Sequence, residues 1–247
     1  MNVVIVGYGR MGKLIESVLA ERGHTVIRRV DTMGLGDVRE VTPAALEGAD
    51  GVIELALSDG ILDRIAVYAD SGLKTVVGTT GWNDLIPAAK ALYEGKKGAM
   101  LQGTNFSVGA HLFFRLTRAA AKLMNKTEEY DVALIEHHHD KKADYPSGTA
   151  LTAAEGILAE LDRKSSIVKN LPDGPIPADV LQVASVRVGS VPGIHEMRMD
   201  SPADFLTIRH EARSRAGFAL GAVRGLEWLD DKSGWFEANA FFDDLWA

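Results

Sequence analysis

The sequence predicts an α/β protein: an N-terminal doubly wound parallel sheet, followed by a C-terminal α+β domain built on a mixed sheet. Three observations carry this expectation. Over the first hundred residues, short β-rich apolar runs alternate with helical stretches through short connections, the pattern of parallel strands joined by crossover helices. The first of these junctions is a glycine-rich turn. After Asn105 the alternation stops, and near the end strands follow one another with no helix between them, as in antiparallel or mixed sheets.

Val3–Val6 reads as a strand that ends on Gly7. Met11–Arg22 has helical spacing, with Met11, Leu14, Ile15, Val18 and Leu19 on one face, and Gly23 supplies the stop. Thr25–Val30 reads as the second strand, with Asp31 at its end. A third strand over Gly51–Leu57, a helix over Ile61–Ala69, a fourth strand over Thr75–Val77, a helix over Asp84–Tyr93 and a fifth strand over Ala99–Leu101 continue the alternation. Gly109–Asn125 then reads as a long amphipathic helix, Glu129–His137 as a strand and Ser147–Leu161 as a helix. Lys164–Pro177, rich in Ser, Asn, Pro and Gly, reads as a loop. Strands are expected over Val180–Val188, His195–Met199 and Phe205–His210, and a closing helix over Phe218–Leu229. The domains expected are residues 1–106, completed by the returning segment 216–247, and residues 107–215.

Composition narrows the chemistry. The 247 residues are 46% hydrophobic and 25% charged, an ordinary globular balance. With 27 Lys and Arg against 34 Asp and Glu, the formal charge is −7. No block of like charges forms a broad basic face, so nucleic acid is not an expected partner. There is no cysteine, which removes thiol catalysis, disulfides and Cys-ligated metal centres and fits a reducing cytoplasm. No apolar run approaches the ~18 residues of a spanning helix, so no membrane partner is expected.

Gly7-Tyr8-Gly9-Arg10-Met11-Gly12 matches G-x-G-x-x-G. It follows a strand, opens a helix, and has Asp31 closing the next strand 19 residues after Gly12. In that context Gly7 permits the tight turn, Gly9 lets backbone approach a pyrophosphate, and Gly12 allows close helix–strand packing. The helix N-terminus offers N–H groups and a positive dipole end, and Asp31 offers acceptors to ribose hydroxyls. A Rossmann-type nicotinamide site is therefore expected in this domain. Asp31 favours NADH, because a carboxylate repels a 2′-phosphate. Arg10, Arg28 and Arg29 lie nearby in sequence, although Arg28 and Arg29 point to opposite faces of a strand. Use of both NADH and NADPH, leaning to NADH, is the expectation.

The second stretch with chemistry runs Glu136-His137-His138-His139-Asp140-Lys141-Lys142, then Asp144-Tyr145-Pro146-Ser147-Gly148-Thr149. Three of the seven histidines are adjacent. Proton donors and cations gather where a strand ends and a helix begins. Ser147 or Thr149 could cap that helix, whose first amides form an anion site. Metal ligation is not expected, because alternate strand residues face opposite ways and no second ligand cluster stands out. The physical reading is a pocket for a small anion beside an acid–base group.

Together these segments resemble the dihydrodipicolinate reductase (4-hydroxy-tetrahydrodipicolinate reductase) family of bacterial lysine and diaminopimelate biosynthesis. The most specific likeness is E-x-H-H-x-x-K-x-D-x-P-S-G-T, from Glu136 to Thr149. Gly78-Thr79-Thr80-Gly81 matches the family's GTTG loop, and Asn105-Phe106-Ser107-Val108-Gly109 its N-F-S-x-G segment. Arg187-Val188-Gly189, Gly193-Ile194-His195-Glu196 and the stretch from His210 to Ala222 resemble its later strands and last helix.

The resemblance implies an NAD(P)H-dependent reduction of a cyclic dicarboxylate imine. Water is lost from the 4-hydroxyl, hydride adds at C4, and a proton completes the reduction. It implies His138 as general acid, His139 and Lys142 as contacts to the substrate carboxylates, and Lys142 also in the acid step. Gly148 and Thr149 become the carboxylate cradle. Gly78, Thr79 and Thr80 become the nicotinamide loop, with the backbone at Gly103, Asn105 and Phe106 as its other wall. Gly7, Gly9, Arg10, Met11 and Gly12 become the pyrophosphate loop, and Asp31 the ribose acid. A cytoplasmic homotetramer, joined through the second domain's sheet over Val180–His210, is also implied.

The chain departs from the family pattern at Tyr145, where Ala is usual, and at Glu54-Leu55-Ala56, where D-F-[ST] is common. Two other readings stand beside this one: a diaminopimelate or diaminopentanoate dehydrogenase of similar build, and a nicotinamide-binding redox sensor without turnover. Arg187 and Arg215 are expected to be structural. His195 and His210 are as readily structural as functional. Trp228, Trp235 and Trp246 are expected to pack the C-terminal segment.

Overall fold

A computed structural model describes all 247 residues. In chain order the elements are β1 (Asn2–Val6), α1 (Arg10–Glu21), β2 (Thr25–Val30), β3 (Gly51–Glu54), α2 (Ile61–Ser71), β4 (Lys74–Val77), α3 (Ile86–Tyr93) and β5 (Ala99–Gln102). There follow α4 (Val108–Met124), β6 (Asp131–His138), α5 (Gly148–Leu158), β7 (Ser166–Val168), β8 (Val180–Arg187), β9 (Ile194–Asp200), β10 (Phe205–Glu211), α6 (Ala216–Trp228), β11 (Gly234–Glu237) and α7 (Ala238–Leu245). The chain divides into two compact units, Met1–Val108 with Arg215–Ala247, and Gly109–Ser214.

The first unit is a six-stranded sheet in the order β11-β5-β4-β3-β1-β2, with every pairing parallel. Its central strands are buried on both faces, as in β3 and β5, because helices cover both sides. One core joins Ile15 and Leu19 of α1 to Val223 and Leu226 of α6, the other joins Ile65 and Tyr68 of α2 to Val52 and Val77. The carboxyl ends of β1, β3, β4 and β5 open on one edge, where ligands of such sheets bind. Gly7, Leu55, Gly78 and Gly103 follow those ends directly.

The second unit is a five-stranded sheet, β10-β9-β6-β8-β7. It is mixed: β6 and β7 run parallel to β8, whereas β9 is antiparallel to β6 and β10. Residues of α4 and α5, among them Phe113, Ala121, Ala153 and Ile157, pack on Leu134, Leu181, Val183 and Met197 on one face.

Two strands depart from the sequence reading. Ser166–Val168 forms β7 inside the stretch read as a loop, because β8 offers it a parallel partner. Gly234–Glu237 forms β11 and adds an edge to the first sheet through β5. Both are too short to show a periodicity of their own. The third strand ends at Glu54 rather than Leu57, because the Glu54 side chain accepts the Ala56 N–H at 2.9 Å and turns the chain out of the sheet. No helix is long and apolar enough to cross a membrane.

Candidate active site

The glycine loop is shaped by close approach. Gly7 has φ of +90°, and a Cβ there would stand 2.6 Å from the Ala56 nitrogen. A Cβ on Gly12 would stand 2.4 Å from the Gly7 carbonyl oxygen, so helix and turn can meet only at glycine. At Gly9, the N-cap of α1, a Cβ would meet no protein atom within 4 Å. The chain thus leaves the approach to the first helical amides open, as a pyrophosphate requires.

A cavity of about 610 Å³ lies at this edge. Gly7, Gly9, Arg10, Met11, Gly12 and Asp31 line it together. Asp31 also organises the loop: Oδ2 accepts the Tyr8 N–H at 2.8 Å, and Oδ1 accepts the Met33 N–H at 2.9 Å. Oδ1 also receives the Leu35 N–H at 3.5 Å. A carboxylate has about four acceptor sites, so capacity remains for a ribose hydroxyl. The open helix start, the cavity and the acceptor carboxylate fit the adenosine and pyrophosphate half of a nicotinamide cofactor.

Neither arginine of β2 lines this cavity. Arg28 donates to the Ala44 carbonyl at 2.9 Å. Arg29 pairs with Glu16 and with Asp37, and lies over the Tyr8 ring at 5.5 Å. Arg39 and Arg215 do line it, together with Arg64. Sequence proximity did not find them, because Arg39 reaches the cavity from the loop after Asp31, and Arg215 from the far end of the chain.

The Glu54-Leu55-Ala56 departure also lies at the cavity, through Leu55 and Ala56. Glu54 is fully buried. It accepts from Arg64 Nε at 2.9 Å and from the Tyr68 hydroxyl at 2.6 Å. Burial, followed by the Glu54 charge, pushes the Tyr68 phenol well above its usual range. The loop after β4 is partly committed to structure: Thr79 is buried and its hydroxyl donates to the Ala56 carbonyl at 3.0 Å. Gly78 and the exposed Thr80 flank it. Asn105 accepts the Ser107 N–H at 2.8 Å. The Phe106 ring belongs to the hydrophobic core, which leaves only backbone there for a ligand.

In the second unit, β6 alternates strictly: Val132, Leu134, Glu136 and His138 are buried, and the residues between them are not. The three adjacent histidines are thereby separated. His138 shares a face with Glu136, its Nδ1 hydrogen-bonded to that carboxylate, while His137 lies on the other face. Arg187 grips Glu136 with both terminal nitrogens, at 2.9 and 2.8 Å, and also donates to the Asp144 carbonyl. Burial alone would raise the Glu136 carboxyl. Hydrogen bonds from His138 and Arg187 outweigh it and hold the carboxyl well below the usual carboxylate range.

Ser147 caps α5, accepting the Ala150 N–H at 3.1 Å. Its hydroxyl also lies 3.1 Å from His195 Nε2. His195 is buried beside His138, with ring centroids 5.2 Å apart, and stacks on His210 at 6.1 Å. Burial, then the neighbouring imidazoles, pushes His195 down to about 3. Burial lowers His210 as well. Lys142 pairs with Asp144 at 2.7 Å, and that hydrogen bond lowers the Asp144 carboxyl. His139 is half-buried, and Gly148 opens α5 with no protein atom within 4 Å of a Cβ placed there. Glu136 and Arg187 lie 51 residues apart, and no local pattern in the sequence joins them. The period of two places Glu136 and His138 on one face of β6, whereas Arg187 reaches Glu136 through the pairing of β8 with β6.

A family model described as dihydrodipicolinate reductase, N-terminus, matches residues 1–97, and one described as dihydrodipicolinate reductase, C-terminus, matches residues 109–242. The chain belongs to the dihydrodipicolinate reductase family. Membership makes it an oxidoreductase of lysine and diaminopimelate biosynthesis, with a nicotinamide-cofactor domain at its N-terminal end. The 4-hydroxy-tetrahydrodipicolinate reductase of Christiangramia forsetii is 34% identical over 245 residues, 99% of each chain. That of Chromobacterium violaceum is 39% identical over 264 residues, covering 98% of this chain and 96% of the relative. The dipicolinate-bound dihydrodipicolinate reductase from Paenisporosarcina sp. TG-14 shares the fold at a TM-score of 0.77 and 20% identity, over 97% of this chain and 99% of that one. The C. glutamicum DAP dehydrogenase in complex with DAP follows the fold at 0.54 and 14% identity, over 99% and 98% of the two chains. The reductase family therefore agrees with this chain in sequence and fold, whereas the diaminopimelate dehydrogenase agrees in fold.

Proposed function

We propose that the protein reduces 4-hydroxy-tetrahydrodipicolinate to tetrahydrodipicolinate, with His138 as general acid. The observation that carries this reading is the placement of His138 at the end of β6, its Nδ1 on the buried Glu136. NAD(P)H, when bound, supplies the hydride to C4 of the dehydrated, conjugated imine. His138 holds the proton that neutralises charge developing on the substrate nitrogen system. His139, Lys142 and the α5 amides at Gly148 and Thr149 orient the two carboxylates, and Lys142 assists the acid step. Gly78, Thr79 and Thr80 hold the nicotinamide, with the backbone at Gly103, Asn105 and Phe106 opposite. Gly7, Gly9, Arg10, Met11 and Gly12 bind the pyrophosphate, and Asp31 the ribose.

Residues 1–106 with 216–247 form the dinucleotide-binding domain in this reading, and residues 107–215 bind the substrate and assemble the oligomer. NADH is the favoured donor, because Asp31 stands in the cavity and Arg29 is neutralised by Glu16 and Asp37. Arg10 and Arg39 in the same cavity keep NADPH usable. Tyr145, 63% exposed just before α5, adds bulk at the approach to the carboxylate cradle.

Assembly as a homotetramer uses the sheet face opposite α4 and α5. That face presents Ile135, Val186 and Phe205, the last 63% exposed. Light scattering gives the mass directly, and a monomer at micromolar concentration would remove this part. The work is cytoplasmic, where NAD(P)H is available. Incubation with enzymatically made 4-hydroxy-tetrahydrodipicolinate, following NADH absorbance, tests the whole reading. Loss of absorbance is expected. Failure to oxidise NADH, with turnover of diaminopimelate or none at all, would transfer the protein to a dehydrogenase or a sensor.

A further inference from the structure

Glu136 is a buried carboxylate to which the proton-transfer reading gives no task. Every acceptor direction around it is assigned. One oxygen, Oε1, accepts the Ser147 N–H at 3.2 Å and Arg187 Nη2 at 2.8 Å. The other, Oε2, accepts Arg187 Nη1 at 2.9 Å and the Nδ1–H of His138. An ionised carboxylate only accepts, so the proton between Glu136 and His138 belongs to Nδ1. Nε2 is then the nitrogen at which His138 gains and loses its exchangeable proton. The Nε2 edge faces Gly193, where a Cβ would stand 3.1 Å away. A glycine at that position sets no side chain of its own against Nε2, and the His195 ring, whose Cε1 would lie 3.8 Å from the same Cβ, stands beside it.

We propose that Glu136, clamped by Arg187, is the positioning residue that fixes the tautomer and ring orientation of His138, so that Nε2 presents the proton to the substrate. The proposal rests on His138 being the proton donor. A carboxylate partner that holds an imidazole in one tautomer contributes through protonation state, beyond packing.

The Glu136→Gln substitution separates the two contributions. Its amide oxygen belongs at the Oε1 position, which receives both the Ser147 amide and an Arg187 nitrogen. The amide NH2 then occupies the Oε2 position, from which Arg187 Nη1 can turn to the Val186 carbonyl it already reaches at 2.8 Å. A donor now faces Nδ1, and neutral His138 must carry its proton on Nε2. In ring-¹⁵N-labelled protein, with His138 assigned by the signals lost in His138→Ala, the parent is expected to show the Nδ1–H tautomer and Glu136→Gln the Nε2–H tautomer. Turnover should fall on the order of 10²–10⁴-fold, with substrate KM and NADH affinity unchanged. Glu136→Asp keeps an acceptor, and should keep the Nδ1–H tautomer and more turnover than Glu136→Gln.

An unchanged tautomer in Glu136→Gln overturns the proposal. So does a Gln variant more active than the Asp variant, since a packing role favours the isosteric amide. An inverted tautomer with full turnover also overturns it, and locates the failure in the underlying reading: His138→Ala would then be active too.

Discussion

Nε of Arg64 donates to a Glu54 carboxylate oxygen at 2.9 Å, and that carboxylate has no exposure to solvent. Arg64 also donates to the carbonyls of Leu57 and Asp59. One guanidinium thus ties the end of β3 to the loop that brings Leu55, Ala56 and Leu57 to the cavity beside the glycine loop. Arg64→Ala strands the charge of Glu54, which retains only the Tyr68 hydroxyl and local partners. Removing one member of a buried pair costs about 3 kcal/mol. Urea unfolding should show that loss, and NADH should bind more weakly because the loop loses two anchors. A parent-like midpoint and affinity would mean that the Tyr68 hydroxyl, the Ala56 amide and the Thr79 hydroxyl suffice.

His138→Ala should lower turnover on the order of 10²–10⁴-fold, the usual contribution of a general acid. Lys142→Ala should lower both turnover and substrate affinity, since Lys142 is assigned to the carboxylates as well as to the acid step. Steady-state kinetics on the two variants separate these effects. Intact turnover in His138→Ala would remove its assignment.

Asp31→Ala should weaken NADH more than NADPH. The ribose acceptor is lost for both, but the repulsion of a 2′-phosphate is lost for NADPH only. The ratio of kcat/KM for the two cofactors should therefore move towards NADPH. The Tyr8 and Met33 amides lose their acceptor too, so a modest stability loss of about 1 kcal/mol should accompany the change. An unchanged ratio would count against the ribose role.

His195 makes stability depend on pH. Burial holds its folded value at about 3, against an ordinary value of 6.5. Below about pH 6.5 the unfolded chain takes up a proton that the fold refuses. The stabilisation is complete above that pH and declines as pH falls towards about 3, by up to about 1.4 kcal/mol per unit. Glu136 works in a different window: its folded value is depressed, so its contribution holds above the ordinary carboxylate range and is lost as pH falls below it. Between pH 6 and 5, His195→Gln should therefore flatten the slope of unfolding free energy against pH. A slope equal to that of the parent would place the titration elsewhere, His210 being the next group to test.

Much of this protein was legible in the sequence, because its decisive signals are local. A strand, a glycine turn and a helix are contiguous, and so are the pattern Gly7-x-Gly9-x-x-Gly12 and the acid that closes the next strand. The stretch Glu136 to Thr149 carries its own spacing and cap, and Ser147 is the residue that serves. Period two also determined that His138 and His137 would part.

Tertiary structure decided what depends on partners distant in the chain. Gly234–Glu237 is a strand because β5 has a free edge. Arg28 and Arg29, the two arginines of β2, are drawn off by Ala44, Glu16 and Asp37, while Arg39 and Arg215 reach the cavity from more distant parts of the chain. Arg187 finds Glu136 only because β8 lies beside β6. The physical reason is common to all of these. Local sequence sets backbone preference and the face a side chain leaves from, whereas a charge takes the partner that the packed sheet brings within reach.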